Sequence, residues 1–191
     1  MSDAVQTQTG NLSLADIVQN STEQSEADQL QNGDNHDASI VQTDTFGASA
    51  RQYQEGSFNT AITEQTSANL SSAVTEQNGN DNYAEAIQEN TESSLVEQRQ
   101  IGNDNVSLVW QEGGARNDGL VEQQGDGNEL TGSSYGDNNR VDVLQDGDLN
   151  VADIQQIHGS DNEVSLMPAT AIWLRCCRAA PPTRRCSIRA V

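Results

Sequence analysis

The side chains that recur at fixed spacing in this chain are carboxamides. Glutamine stands at Gln8, Gln31, Gln54, Gln77, Gln100 and Gln123, each 23 residues after the last, and at Gln145 after a step of 22. A second series, Gln19, Gln42, Gln65, Gln88, Gln111 and Gln156, follows eleven residues after the first, with Ser134 where another glutamine would fall. Five residues after each leading glutamine come Asn59, Asn82, Asn105, Asn128 and Asn150, a column that opens with Ser13 and His36. A carboxamide carries two N–H donors and a carbonyl acceptor and is not an acid or base near neutrality, so its chemistry is hydrogen bonding. A buried amide costs a few kcal/mol unless its donors and acceptors are met. Rungs stacked roughly 4.7–4.8 Å apart let each amide bond to the same amide above and below. Such a ladder is satisfied only while the stack continues, which makes it the chemistry of self-association.

Other chemistry is poorly served. His36 and His158 are the only histidines, one in the asparagine column and one at a turn, and both read as structural. No Ser/His/Asp grouping recurs, and paired carboxylates are uninformative in so acidic a chain, so the sequence does not read as an enzyme. Cys176, Cys177 and Cys186 have no nearby histidine and make a poor zinc pattern. No metal ligand and no cofactor is assigned. The turn Asp146-Gly147-Asp148-Leu149-Asn150 begins like an EF-hand loop but lacks its sixth-position glycine and closing glutamate. Weak calcium affinity of the acidic surface is the most that it supports.

Stepping along the chain, the elements that must position these amides are strands. In residues 71–88 the small and polar residues Ser71, Ala73, Thr75, Gln77 and then Asn82, Ala84, Ala86, Gln88 alternate with period two on either side of a Gly-x-x-Asn break. Period two is the strand signal, and glycine with asparagine supplies the left-handed backbone of a tight turn. The turn glycines Gly10, Gly33, Gly56, Gly79, Gly102, Gly125 and Gly147 each follow a leading glutamine by two residues. Each repeat of about 23 residues thus reads as strand, turn, strand, turn. Seven such repeats predict an all-β fold, a β-solenoid of two packed parallel sheets over residues 1–167. The inward columns hold Ala, Ser, Val and Ile, which suit two sheets packed close together. The aromatics Tyr53, Phe58, Tyr83 and Trp110 fall off these columns and are expected on outer faces or turns.

Composition divides the chain at the same boundary. Residues 1–167 contain no Pro, Cys or Lys, hold all 29 acids and four arginines, and carry a net charge of −25. That balance argues against nucleic acid as a partner. Residues 168–191 hold all three Pro, all three Cys and five Arg without an acid. Pro168 stands where the next inward glutamine would fall and lacks the N–H a ladder requires. This segment reads as a tail unrelated to the repeat, disordered or translated from a shifted frame; the competing reading is a basic cap or anchor. No apolar run reaches membrane-spanning length. The register begins at Ser2 with no signal peptide and no polar cap before it, as expected of a mature form with an open first rung.

The pattern Ser-x5-Gln-x-Gly-x2-Asn-x-Ala-x3-Gln resembles the repeat of curli subunits (curlins), the bacterial functional amyloid. Ser71, Gln77, Gly79, Asn82, Ala84 and Gln88 match it at every position. Ser25, Gln31, Gly33, Ala38 and Gln42 match with His36 for Asn, and Ser94, Gln100, Gly102, Asn105 and Gln111 match with Ser107 for Ala. The sixth repeat departs most, with Leu130, Gly132 and Ser134, yet Gly136, Asn139, Val141, Val143 and Gln145 restore the pattern in its second arc. The resemblance implies a subunit that is secreted unfolded and polymerises end to end with copies of itself into extracellular, cell-surface fibres for biofilm matrix and adhesion. It also implies a nucleator subunit, a secretion pore and periplasmic chaperones as partners; the acidic body resembles the major fibre subunit more than the nucleator. The alternative reading is a soluble β-solenoid that binds a surface or ligand, but the outward positions lack the repeated array of one residue type that it would need.

Overall fold

Alternation in the sequence becomes alternation between two sheets. The computed structural model describes residues 1–156, 162–167, 172–174 and 185–189. One sheet, here sheet A, is built in order from β1 (Asp3–Thr9), β3 (Glu26–Asp34), β5 (Ser49–Ser57), β7 (Ser72–Asn80), β9 (Leu95–Ile101), β11 (Asp118–Gln124), β13 (Arg140–Asp146), β15 (Glu163–Met167) and β17 (Arg185–Arg189). Sheet B runs from β2 (Leu14–Asn20) through β4 (Asp37–Thr43), β6 (Thr60–Thr66), β8 (Tyr83–Glu89), β10 (Val106–Glu112), β12 (Glu129–Tyr135) and β14 (Val151–Gln156) to β16 (Ile172–Leu174). Each turn of chain lays one strand in each sheet and then moves up one rung, so all pairs are parallel. This is the β-solenoid the period predicts. Gln54, Gln77 and Gln100 sit side by side as pairing partners.

Parallel sheets are usually covered on both faces. Here one face of each sheet packs on the other sheet while the opposite face meets solvent, and the burial pattern alternates along every strand from β3 to β14. The interior contains small aliphatics, hydroxyls and amides. Ala38, Ala61, Ala73, Ala84, Ile40, Val96, Leu130 and Ile154 are buried together with the glutamine and asparagine columns. No Asp, Glu or Arg side chain is buried among the described residues, so every interior polar group but His36 is a neutral amide or hydroxyl.

The step of 22 has a local cause. Between β8 and β9, and between β10 and β11, the second turn uses five residues; between β12 and β13 it uses four, Gly136 to Asn139. That turn has the Gly-x-x-Asn form of the first arc, with Gly136 at φ 103° and Asn138 at φ 53°. The pairing offset accordingly drops from 23 to 22 between Asp118 and Arg140. Beyond residue 167, where the sequence reading ended the repeat, backbone pairing runs on: β16 pairs with β14 and β17 with β15. Pro168, His158, Cys176 and Cys177 lie outside the described residues.

Candidate assembly ladders

The leading glutamines form one continuous column inside the solenoid. Gln8 Nε2 donates to Gln31 Oε1 at 2.7 Å, and the same bond repeats from Gln31 to Gln54, Gln54 to Gln77, Gln77 to Gln100 and Gln100 to Gln123 at 2.9 Å each. It closes from Gln123 to Gln145 at 2.8 Å. The second hydrogen of each amide crosses the core. Gln54, Gln77 and Gln100 donate to the carbonyls of Asp37, Thr60 and Tyr83, the first residues of the facing strands in sheet B. One side chain thus ties a rung to the next rung and one sheet to the other, and the amide is left with no open donor.

A second column runs up sheet B. Gln19 donates to Gln42, Gln42 to Gln65 and Gln65 to Gln88 at 2.8 Å, and Gln88 to Gln111 at 3.0 Å. It stops at Ser134. Gln156 resumes the column and donates to the Arg140 carbonyl, but its Oε1 and the Ser134 hydroxyl are both buried without a partner. A small cavity opens beside the gap, lined by Val109, Gln111, Gly119, Gly132, Ser134 and Val141 among others.

The asparagines hold the first turn. Asn82 Oδ1 accepts from the backbone N–H and from Nδ2 of Asn105, at 3.0 and 3.1 Å, while Asn82 Nδ2 donates to Asn59 Oδ1 and to the Gly102 carbonyl. The same pattern joins Asn105 to Asn128 and Asn128 to Asn150. His36 fills one place in this column at 1% exposure. Its Nδ1 accepts the Asn59 N–H at 3.3 Å and its Nε2 lies 3.3 Å from the Asn32 carbonyl, an arrangement that places the proton on Nε2. The turn glycines stack as closely as the amides. Gly79 has φ 134°, and a Cβ there would overlap the carbonyl oxygen of Gly102 one rung on, so the column excludes side chains twice over, by dihedral and by contact.

One inward set escaped the sequence reading, and a second, with Ser25, Ser71 and Asn139, was named there only as motif positions. Gln29 and Gln52, two positions before the leading glutamine, continue a third ladder from Gln6 at 3.1 and 3.0 Å. Above them Gln52 turns to Thr63 and Gln98 to Ser107, and the column then becomes Val121 and Val143. In the second turn, hydroxyl pairs Ser25–Thr45 and Ser71–Thr91 give way to Asn117, Asn139 and Asn162. Period two alone would have found the first set, since it points inward with Gln6; the change of residue type along the column hid it.

Outside, the chemistry is ionic. Arg99 lies between Glu76 and Glu122 at 3.6 and 2.9 Å on the outer face of sheet A, and Arg51 and Arg140 meet Asp28 and Asp142. These exposed pairs contribute little, about 0–1 kcal/mol each. Tyr83 is pushed above the ordinary phenol range by burial and by its hydrogen bond to Glu85, and Tyr53 chiefly by its hydrogen bond to Glu55. Trp110 and Phe58 are exposed and Tyr53 and Tyr83 half-buried, all off the inward columns as expected. Among the described residues no group of three or more His, Cys, Asp or Glu is disposed to hold a metal.

A parallel two-sheet β-solenoid held by neutral amide ladders is a structural repeat protein, with its invariant chemistry inside the stack. The family model of the curlin associated repeat matches residues 136–166, which span β13, β14 and most of β15. The register of the ladders repeats the geometry of that unit through the earlier rungs, which supports membership of the curlin-repeat family. Comparison with curated proteins and with solved structures returned no match.

Proposed function

We propose that this chain is the structural subunit of an extracellular, curli-like amyloid fibre that grows by end-to-end stacking and serves matrix and adhesion rather than catalysis. The observation that carries this reading is the state of the first rung. β1 and β2 are the edge strands of their sheets, β1 is exposed along its whole length, and the glutamine ladders reach the edge in register at Gln6, Gln8 and Gln19. Every glutamine amide in these columns donates toward the C-terminal side, so the edge presents Oε1 acceptors together with open backbone groups. A strand edge of that kind is a template for another chain. A second copy that sets its last strands on this edge continues the backbone pairing from chain to chain. By family resemblance the copy docks first on a nucleator subunit after export through a secretion pore with periplasmic chaperones.

The test is a thioflavin-T time course on freshly purified protein, with electron micrographs of the product. Gln77→Ala combined with Gln100→Ala should slow growth at every pH, because it strands Gln54 Nε2 and Gln123 Oε1 in the core. Outward-facing Glu26→Gln with Glu97→Gln should speed growth near neutrality. Fibres that form as fast without the two glutamines as with them would exclude the ladder as the assembly device.

A further inference from the structure

The two outer faces of the solenoid solve the problem of their own charge differently. On sheet A the column Glu76, Arg99, Glu122 alternates in sign, and the arginine bonds to both neighbours. On sheet B the matching outward column places Glu89 directly beside Glu112 on paired strands with no cation between them. Every charged side chain in the sheet B strands β2 to β14 is Asp or Glu. Like charges directly opposite one another in a sheet are destabilising. Between these carboxylates lies apolar surface. Ile87 stands beside Trp110, and Ile62 and Leu108 flank Glu85. Trp110 is 42% exposed, and its ring lies 6.3 Å from Tyr135 on the next rung. The face is a checkerboard of carboxylates and apolar groups, with rungs about 4.8 Å apart and outward columns about 6.8 Å apart.

We propose that the outer face of sheet B between β6 and β12 is a docking surface for a cationic amphipathic peptide segment, in which the residues on one strand face, at every second position, are in turn lysine or arginine and aliphatic or aromatic. A second copy of this solenoid does not fit it. Sheet B against sheet B confronts carboxylate with carboxylate, and from β1 to β13 the outward arginines of sheet A, Arg51, Arg99 and Arg140, are already paired. A cationic strand matches on both counts. Its side chains on one face recur at the same roughly 6.8 Å spacing as the outward columns, its charges relieve Glu89 and Glu112, and its apolar residues cover Ile87, Leu108 and Trp110. The face runs along the stack rather than at its ends, so stacking leaves it open.

The probe is a synthetic twelve-residue peptide of three Lys-Ser-Leu-Ser repeats, whose Lys and Leu share one strand face, against the full chain carrying Trp173→Phe so that tryptophan emission reports on Trp110 alone. The expected result is a saturable blue shift with about tenfold weaker binding for Glu89→Gln with Glu112→Gln, and a comparable loss for Leu108→Ser, which leaves the Trp110 reporter in place. Equal charge removal on sheet A, Asp28→Asn with Glu97→Gln, should change affinity less than about twofold. Three results would overturn the proposal: no saturable binding, equal binding of a Ser/Lys peptide lacking apolar groups, or equal weakening by the sheet A variant, which would mean attraction to net charge alone. Glu89, Glu112, Leu108, Asp28 and Glu97 lie on the outward faces of their strands, and circular dichroism checks that each variant keeps its strands.

Discussion

Ser134→Gln should stabilise the solenoid by repairing the one gap in the sheet B ladder. At this rung Gln111 has no amide to donate to, and Gln156 Oε1 and Ser134 Oγ are buried without partners. A glutamine side chain would extend into the cavity beside Gly119 and Gly132, accept from Gln111 and donate to Gln156. Two net hydrogen bonds contribute about 2 kcal/mol together, and satisfying the orphaned Gln156 oxygen removes a penalty of about 1–3 kcal/mol. Ordering a glutamine side chain costs about 2 kcal/mol. The balance is a gain of about 1–3 kcal/mol. With a urea dependence of about 2 kcal/mol per molar for a domain of this size, the unfolding midpoint should rise by about 0.5–1.5 M. The measurement is urea unfolding followed by far-ultraviolet circular dichroism on protein shown by sedimentation to be monomeric. An unchanged or lower midpoint with unchanged slope would mean that the Ser134 site has already closed around its neighbours, and the ladder argument at this rung would be wrong.

Four further outcomes follow from the same geometry. Gly79→Ala should cost at least about 3 kcal/mol, since both its φ and the Gly102 carbonyl exclude a Cβ; Gly132→Ala should be neutral or gain up to about 1 kcal/mol, because a Cβ there meets only Leu130 Cδ2 at 3.8 Å and the Leu108 oxygen at 3.9 Å. Thermal unfolding of the two variants separates them. His36→Asn should raise stability by about 1 kcal/mol by giving the Asn59 N–H and amide one shared acceptor, read from the same urea transitions. Tyr53 and Tyr83 are held above the ordinary phenol value of about 10 in the folded state, so their contribution to stability is full below that value and is lost as pH rises through the higher folded value; ultraviolet titration of the phenolates should show Glu85→Gln bringing the Tyr83 transition down. Lowering pH toward 4, where side-chain carboxyls ordinarily take up protons (about 3.9–4.3), should speed fibre growth, as should added salt; thioflavin-T rates that fall under both conditions would contradict it.

The fold was legible because its constraint is one-dimensional. A glycine whose Cβ would strike the next rung, and an asparagine whose amide bonds the next rung, must recur at the pitch of the stack, so Gly79 and Asn82 announce themselves by position. Columns that face only the opposite sheet obey a weaker rule. The site of Gln29, Gln52, Thr75, Gln98, Val121 and Val143 needs a side chain of suitable volume whose polar atoms, if any, find a local partner. Its identity drifts from amide to hydroxyl to aliphatic, so period two points the column inward but no recurring residue type marks it. The sixth repeat was hard to read for a third reason. Loss of Gln at Ser134 and insertion of Leu130 change the core, while the shortened turn at Gly136–Asn139 shifts the register, and only the structure separates these events.

On the proposed function, the division between interior and exterior defines how stacking of copies can be controlled. The described acids and arginines lie outside, and the buried bonds that join rung to rung run between amides, hydroxyls, backbone groups and the His36 ring. The attractive part of a stacking contact therefore does not change with pH or salt across the range in which proteins usually operate. The repulsive part does, because it consists of exposed carboxylates that protonate and screen. Stacking of copies is then set by a constant hydrogen-bonding term and a variable electrostatic one, and mutations should sort accordingly. Changes at Gln77 or Asn82 should shift growth equally under all solution conditions, whereas changes at Glu26 or Glu97 should matter near neutrality and fade in acid. A variant of an inward amide whose defect disappeared at low pH would break this separation, and with it the reading of the acidic surface as a brake distinct from the ladder.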